Sequence, residues 1–291
     1  MTTVADALRQ AEQALAAAGV PDAGWDAELL LRHALGWSRA ALVANATAPL
    51  PDQARQRLLE LVTARASRRP LQHLTGRQAF WRYEFVVTPD TLIPRPETEA
   101  LVEATLARLR GRERPVIVDV GTGTGCVALS LALELPDAEV HATDLSAPAL
   151  AVAAENARRL GCAERVALHQ GDLLDPVAAL SGRIDVVVSN PPYVDRREAA
   201  SLPPEVREHE PSLALFAPGD GCSIYRRLAP QAYTALAPRG ALVVEIGFGM
   251  EPEVRHILSA AGFTIERVVA DLQSIPRAVV ALRDPLAGPS R

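Results

Sequence analysis

The sequence predicts an α/β protein, a doubly wound and mostly parallel sheet preceded by a small helical domain. Three observations carry that prediction. From about Pro115 onward, short β-branched apolar runs alternate with helical stretches, the pattern of strand–helix–strand units. A glycine-rich turn, Gly121-Thr122-Gly123-Thr124-Gly125, joins the run Val116-Ile117-Val118-Asp119-Val120 to a buried-helix pattern opening at Cys126. Residues 1 to about 74 read instead as several short helices.

In chain order, Val4, Leu8 and Leu15 share one helix face, and Trp25, Leu29 and Leu30 share another with Ala34. Gly19-Val20-Pro21, Gly36-Trp37-Ser38 and Pro49-Leu50-Pro51 punctuate these helices, with Asp22, Ser38 and Asp52 as expected caps. A fourth helix, 52–67, runs into Arg68-Arg69-Pro70. Phe80-Trp81-Arg82-Tyr83-Glu84-Phe85-Val86-Val87 alternates as a strand of a short hairpin, so the chain divides into a helical domain (1–74), a hairpin linker (75–95) and a sheet domain (96–291). Thr98 or Glu97 opens a helix to about Leu109. Strands are then expected at 116–120, 139–143 with Asp144 at the tip, 166–170, 184–189, 241–246, 263–269 and 277–282. Helices are expected from Cys126, over 147–160 and 223–236, and over 251–261 until Gly262 stops the last.

Composition narrows the function classes. The chain has 291 residues, 48% of them apolar, a formal charge of −5 and a pI near 5.7. That balance disfavours nucleic acid as a direct target, since duplex binding needs a basic face. Arg55, Arg57, Arg65, Arg68 and Arg69 cluster, but acids and arginines nearly balance there; a solvated helix face that helps dock a protein is the better reading. Every basic residue is Arg, a bias of the source and not a function. Three scattered cysteines, Cys126, Cys162 and Cys222, fit a reduced cytosol and neither a zinc site nor a disulfide framework. The six histidines lack ligand spacing, so no metal is expected. Asp6, Arg9 and Glu12 argue against a signal peptide or anchor, and no apolar run is long enough to span a bilayer. A cytoplasmic protein without membrane contact is expected.

The motifs carry the chemistry. Asn190-Pro191-Pro192-Tyr193 follows the apolar run 184–189. The proline pair ends the strand in a stiff turn whose carbonyls stay free to accept hydrogen bonds, beside the Asn190 amide oxygen. Two acceptors on a rigid corner suit a planar –NH2 group, and Tyr193 offers an aromatic wall. Upstream, the Gly-x-Gly-x-Gly turn lets backbone approach a ligand closely. Cys126 stands where a dinucleotide fingerprint needs its third glycine, so that reading fails. Asp119 precedes the turn, Asp144 ends the second strand where it can accept from ribose hydroxyls, and Asp172 and Leu173 follow the third strand, placed for an adenine amino group and ring. Each acid alone would also serve as a helix cap, Asp144 before Ser146 above all; three acids on three successive strand ends favour a bound cofactor. Arg95, between Pro94 and Pro96 and followed by Glu97, exceeds what a helix start requires.

The acid before Gly-x-Gly-x-Gly resembles the first motif of S-adenosylmethionine-dependent methyltransferases. Pro94-Arg95-Pro96-Glu97-Thr98-Glu99, Asp119 to Gly125 and Ser189 to Tyr193 together resemble the protein-(glutamine-N5) methyltransferases that act on peptide chain release factors. Leu74-Thr75-Gly76 with Phe80-Trp81, Glu210-Pro211, Gly219-Asp220-Gly221 and the terminal Asp271-Leu272-x(3)-Pro276-Arg277 match too. Only Gly247-Phe248-Gly249-Met250-Glu251-Pro252 departs from the family's acidic and glycine pattern after the fifth strand. The resemblance implies a class I methyltransferase fold of seven strands ending in a hairpin-like pair, and S-adenosyl-L-methionine as cofactor at Asp119, Gly121 to Gly125, Asp144, Asp172, Leu173 and Asn190. It implies a substrate glutamine in the Gly-Gly-Gln loop of class-I release factors, clamped by Asn190, Pro191, Pro192 and Tyr193 with Arg95 and Glu97 near. The segment 194–221 is a candidate lid or partner contact. Two rivals stand beside this reading: an enzyme methylating exocyclic amino groups of DNA or RNA bases, and a non-catalytic cofactor-binding protein.

Overall fold

The computed structural model describes residues 2–271 and 273–283. The chain forms two compact units, Met1–Arg77 with Pro203–His209, and Gln78–Leu202 with Glu210–Arg291. Leu272 of the terminal motif and the polar tail after Pro285 lie outside the described residues.

The first unit contains α1 (Val4–Ala17), α2 (Ala23–Leu35), α3 (Arg39–Ala44), α4 (Asp52–Ala66) and α5 (Leu71–Thr75), with the short helix Pro204–His209 from far later in the chain. Thr3 and Asp6 open α1 as a reciprocal capping box. Val4, Ala7, Ala11 and Leu15 of α1 pack with Ala27, Leu30 and Leu31 of α2 and Leu58 and Val62 of α4. Trp25, expected on the buried face, is instead 53% exposed, because α2 turns Ala27, Leu30 and Leu31 inward and leaves the indole under the Arg39 guanidinium. Of the three expected caps, the Ser38 hydroxyl accepts the Ala41 N–H, Asp22 makes no such bond, and Asp52 already lies inside its helix.

Arg65 does not belong to a solvated face. It is buried, its Nε donates to Asp26 at 2.6 Å, and its Nη1 reaches Glu205 at 2.9 Å, while Arg68 also pairs with Glu205 at 2.8 Å. Arg65 and Arg68 together hold Glu205, which ties the short helix Pro204–His209 to this unit.

In the second unit the hairpin strands β1 (Arg77–Phe80) and β2 (Tyr83–Val86) do more than connect: Phe80 and Phe85 are buried in the core of the sheet, edge to face at 6.1 Å. Asn156 fastens β2, accepting the Val86 N–H at 2.7 Å and donating to Val86 O and Thr124 O at 3.0 and 2.9 Å. Next come a 3-10 turn over Pro96–Thr98, α6 (Glu99–Arg108), β3 (Val116–Val120), α7 (Cys126–Glu134), β4 (Glu139–Asp144), α8 (Ala147–Arg159), β5 (Val166–Gln170) and β6 (Ile184–Ser189). Two-residue strands, Val194–Asp195 and Phe216–Ala217, bracket a segment of short helical turns. Helices Ser223–Ala235 and Glu251–Ala260 flank the strand Leu236–Glu245, and Phe263–Ala270 and Pro276–Arg283 end the described chain.

Seven of these strands form one sheet. In spatial order they begin 263–270, 276–283, 236–245 and continue β6, β3, β4, β5; the strand 276–283 runs antiparallel to both neighbours and every other pairing is parallel. β3 is buried along its whole length, as a central parallel strand covered on both faces must be. Residues of α6, α7 and α8 cover one face, and those of 223–235 and 251–260 the other. Strand order reverses at β3, so the crevice of the sheet opens outside the carboxyl ends of β3 and β6.

Candidate active site

The turn after β3 is held from beneath. Gly121 and Thr122 donate their N–H groups to Thr143 O at 2.8 and 3.0 Å, tying the turn to the end of β4. Gly125 has φ +81°, and a Cβ there would meet Leu129 Cδ1 at 3.0 Å and Ala153 Cβ at 3.3 Å, so glycine is what lets α7 and α8 close beneath the turn. The Asp119 carboxylate accepts from Thr122 Oγ1 at 2.7 Å and Ala128 N at 3.2 Å. Its burial pushes the carboxyl up to about 7. Asp119 thus organises the turn besides lining the cavity above it.

That cavity has a volume of about 600 Å³ and is walled by Asp119, Gly121 to Thr124, Asp144, Asp172, Leu173, Asn190, Pro191 and Pro192 among others. Asp144 Oδ2 accepts the Gly123 N–H and Oδ1 the Ser146 N–H, each at 2.9 Å. Each oxygen keeps lone-pair capacity for a hydroxyl group. Asp172 lines the cavity but is ion-paired with Arg227, so an adenine amino group would share that carboxylate with a guanidinium. Leu173 beside it holds φ +49°, an unusual backbone for leucine that turns it at the rim.

Ser189 Oγ donates to Val120 O at 2.8 Å and joins β6 to β3 just before the Asn-Pro-Pro corner. Asn190 Nδ2 donates to Thr98 Oγ1 at 3.1 Å, which leaves its carbonyl oxygen at the unpaired end. The aromatic wall expected of Tyr193 is not among the cavity walls. Its hydroxyl donates to Glu245 Oε1 at 3.4 Å, and its ring lies so close to Gly247 that a Cβ there would stand 3.0 Å from it. Burial beside the Glu245 carboxylate drives the Tyr193 phenol far up. Thr98 was legible only as a helix opener, and Glu245 ends a strand with no motif to mark it.

Arg95 lines the cavity and pairs with the buried Glu210, whose Oε2 also accepts the Ile93 N–H at 3.2 Å. This pairing accounts for an arginine between two prolines. Glu97 does not reach the cavity walls; it lies 3.9 Å from Arg277. From the 194–221 segment, Arg196, Pro211 to Ala214, Phe216 and Pro218 contribute walls. Among the described residues, no group of three or more His, Cys, Asp or Glu side chains is placed to hold a metal ion, and no helix is long and apolar enough to cross a membrane.

A seven-stranded sheet in this order, with acids on successive strand tips around a glycine-rich turn, is the class I S-adenosylmethionine-dependent methyltransferase fold. Residues 6–76 match the PrmC N-terminal domain, and residues 97–203 match the methyltransferase small domain. The release factor glutamine methyltransferase of Cereibacter sphaeroides is 46% identical over 277 residues, covering 95% of this chain and 97% of that protein. The protein of the same name from Moorella thermoacetica is 44% identical over 282 residues, 97% of this chain and 99% of its own. A solved protein-(glutamine-N5) methyltransferase (release factor-specific) from Alicyclobacillus acidocaldarius is 32% identical and covers 69% of this chain and 100% of its own, at a TM-score of 0.41 that bears no weight for the fold. The chain belongs to the release factor glutamine methyltransferase family.

Proposed function

We propose that this enzyme transfers a methyl group from S-adenosyl-L-methionine to the side-chain amide nitrogen of the glutamine in the Gly-Gly-Gln loop of class-I peptide chain release factors. One observation carries the mechanism: Thr98 takes the nitrogen end of the Asn190 amide, so the oxygen end is left to accept.

The walls described above suit an adenosyl group. Asp144 would take the ribose hydroxyls, the glycine-rich turn would admit the methionine portion against backbone, and Leu173 with Asp172 would meet the base. When bound, that group supplies a methyl already activated by the positive sulfur. The remaining task falls to the protein. An amide nitrogen is a poor nucleophile because its lone pair is delocalised into the carbonyl. Asn190 Oδ1 and the Pro191 carbonyl accept its two N–H bonds, aim the nitrogen and add electron density as the new N–C bond forms. Positioning of this kind can remove up to about 7–11 kcal/mol of barrier. The surplus proton leaves the nitrogen after transfer, when that nitrogen is cationic and acidic, so Asn190 acts as no base.

The helical unit serves to dock the partner, and the acidic balance of the chain fits a protein target in the cytoplasm acting in translation termination, without nucleic acid as direct substrate. Purified enzyme and labelled S-adenosylmethionine, offered release factor, DNA and ribosomal RNA side by side, test the assignment. Label is expected in the factor alone; label in either nucleic acid overturns it.

A further inference from the structure

We infer that the protein has a second ligand site, for a small molecule carrying two or more phosphate groups, at the edge of the sheet opposite the methyl-transfer cavity. The inference stands independently of the amide-clamp reading above.

The site is a cavity of about 630 Å³, as large as the one above the glycine-rich turn. Its walls come from the end of α6, the amino ends of β6 and of the strands 236–245 and 263–270, and the last residues of the antiparallel strand 276–283. The cavity above the glycine-rich turn lies at the carboxyl ends of β3 and β6, so the two stand at opposite edges of one sheet.

Charge sets this second cavity apart. Arg108, Arg112, Arg239 and Arg283 line it against two acids, Asp185 and Glu266, on a chain whose formal charge is −5. Arg112 is neutralised by Asp185 at 2.6 Å, and Asp185 also accepts the Val116 N–H at 2.9 Å. Among the described residues, Arg108, Arg239 and Arg283 form no ion pair with any carboxylate, Glu266 included. Arg108 Nη2 donates to Arg239 O at 2.5 Å, and its Nε is buried without a hydrogen-bond partner. Arg283 donates to Leu236 O, with its guanidinium carbon 5.4 Å from the centre of the Tyr233 ring. A carbonyl and an aromatic face fix these guanidinium groups in place without cancelling their charge. Arg108, in the last turn of α6, also answers the partial negative charge of that helix end. Arg239 and Arg283 have no such duty.

Arg239 is held there at a conformational cost. Its φ is +68°, in the left-handed region that favours glycine, and its side chain is exposed, so packing does not call for it. Guanidinium forks pair with phosphate oxygens two at a time, which suits three arginines that lack carboxylates. A single phosphate would fill a small part of 630 Å³ and balance one or two of the three positive charges. The rest of the wall differs in kind: Leu109 and Leu282 give apolar surface, and Thr264 and Glu266 give acceptors for hydroxyl or amino groups. A nucleoside diphosphate has the size and both kinds of group.

Titration calorimetry on the intact enzyme tests the site with pyrophosphate, uridine diphosphate and uridine, at about 0.15 M ionic strength and with S-adenosylmethionine saturating the other cavity. Saturable binding of pyrophosphate and uridine diphosphate is expected with Kd below about 1 mM, and none of uridine. Tighter binding of uridine diphosphate assigns the site to nucleotides and equal binding assigns it to the phosphates alone; either supports the site. Arg239→Gly, which suits the backbone already present, and Arg283→Gln should each weaken binding at least about tenfold while S-adenosylmethionine affinity stays within about twofold. Should Arg283→Gln fail to fold, Arg239→Gly decides alone. No saturable binding below about 10 mM, binding of uridine as tight as of its diphosphate, or unchanged affinity in Arg239→Gly overturns the inference. None of these readouts depends on methyl transfer, so failure of the amide clamp would leave the result standing.

Discussion

Asn190 and Thr98 lie 92 residues apart and meet side chain to side chain at 3.1 Å, with the amide nitrogen as donor. The contact orients the one side chain at the Asn-Pro-Pro corner whose oxygen and nitrogen ends would act oppositely on an amide substrate. Around it stand the buried carboxyls of Asp119 beneath the glycine-rich turn, Glu245 beneath the corner and Glu210 on Arg95, with one half-exposed pair, Asp172 with Arg227.

Asp144→Ala is expected to weaken S-adenosylmethionine binding by about 1–3 kcal/mol, the scale of a lost charged hydrogen-bond partner. The change also frees the Gly123 and Ser146 N–H groups that Asp144 holds. Calorimetry on the folded variant checks it; unchanged affinity would remove Asp144 from the cofactor site.

Two of the buried carboxyls, raised to about 7, give stability a definite pH dependence. Asp119 and Glu245 keep their protons to about 7 when folded, against 3.8 and 4.5 for the free groups. The folded state therefore binds more protons between about pH 4 and pH 7, and stability falls as pH rises through that window, on the order of 3–4 kcal/mol for each group. Asp119→Asn and Glu245→Gln should each flatten the fall. Urea unfolding of ligand-free protein at several pH values measures it, and equal slopes in parent and variants would contradict the burial account.

Arg65→Met should destabilise the helical unit by about 3–5 kcal/mol, because it leaves the Asp26 carboxylate buried without its partner and removes one of the two arginines on Glu205. Arg65→Met with Asp26→Leu should recover much of the loss. Denaturant midpoints of the three proteins decide, and a single variant as stable as the parent would show that the pair contributes nothing.

Much of this architecture is legible in the amino-acid sequence. Period-two and period-3.6 patterns separate strands from helices, and chemistry gathers at strand tips because parallel sheets expose their carboxyl ends. Residues 116–125, 139–144 and 184–193 carry both signals within a few positions. What stayed hidden depends on contacts between distant segments. Arg65 looks like any surface arginine until Asp26 and Glu205 fold around it. Tyr193 reads as an aromatic wall, yet its hydroxyl is drawn to Glu245 and its ring packs on Gly247. The hairpin reads as a linker, although Phe80 and Phe85 enter the core of the sheet.

The folded release factor, and not a short Gly-Gly-Gln peptide, should be the efficient substrate. A mostly glycine loop offers little surface and a large ordering cost, so partner docking must supply the binding energy. A kcat/KM at least about a hundredfold higher for the whole factor is expected, near 3 kcal/mol by the usual conversion. Equal values for peptide and factor would place all recognition in the site itself.

The central claim is that Asn190 presents its oxygen to a glutamine amide, and Asn190→Ala tests it most directly. Parent and variant are each incubated with release factor and S-adenosylmethionine, and the factor is mapped by mass spectrometry while cofactor affinity is measured in parallel. The account predicts one added methyl on the glutamine of the Gly-Gly-Gln loop with the parent, and none above background with a variant that still binds S-adenosylmethionine within a few-fold. A variant that methylates that glutamine at a rate near the parent's would contradict the account.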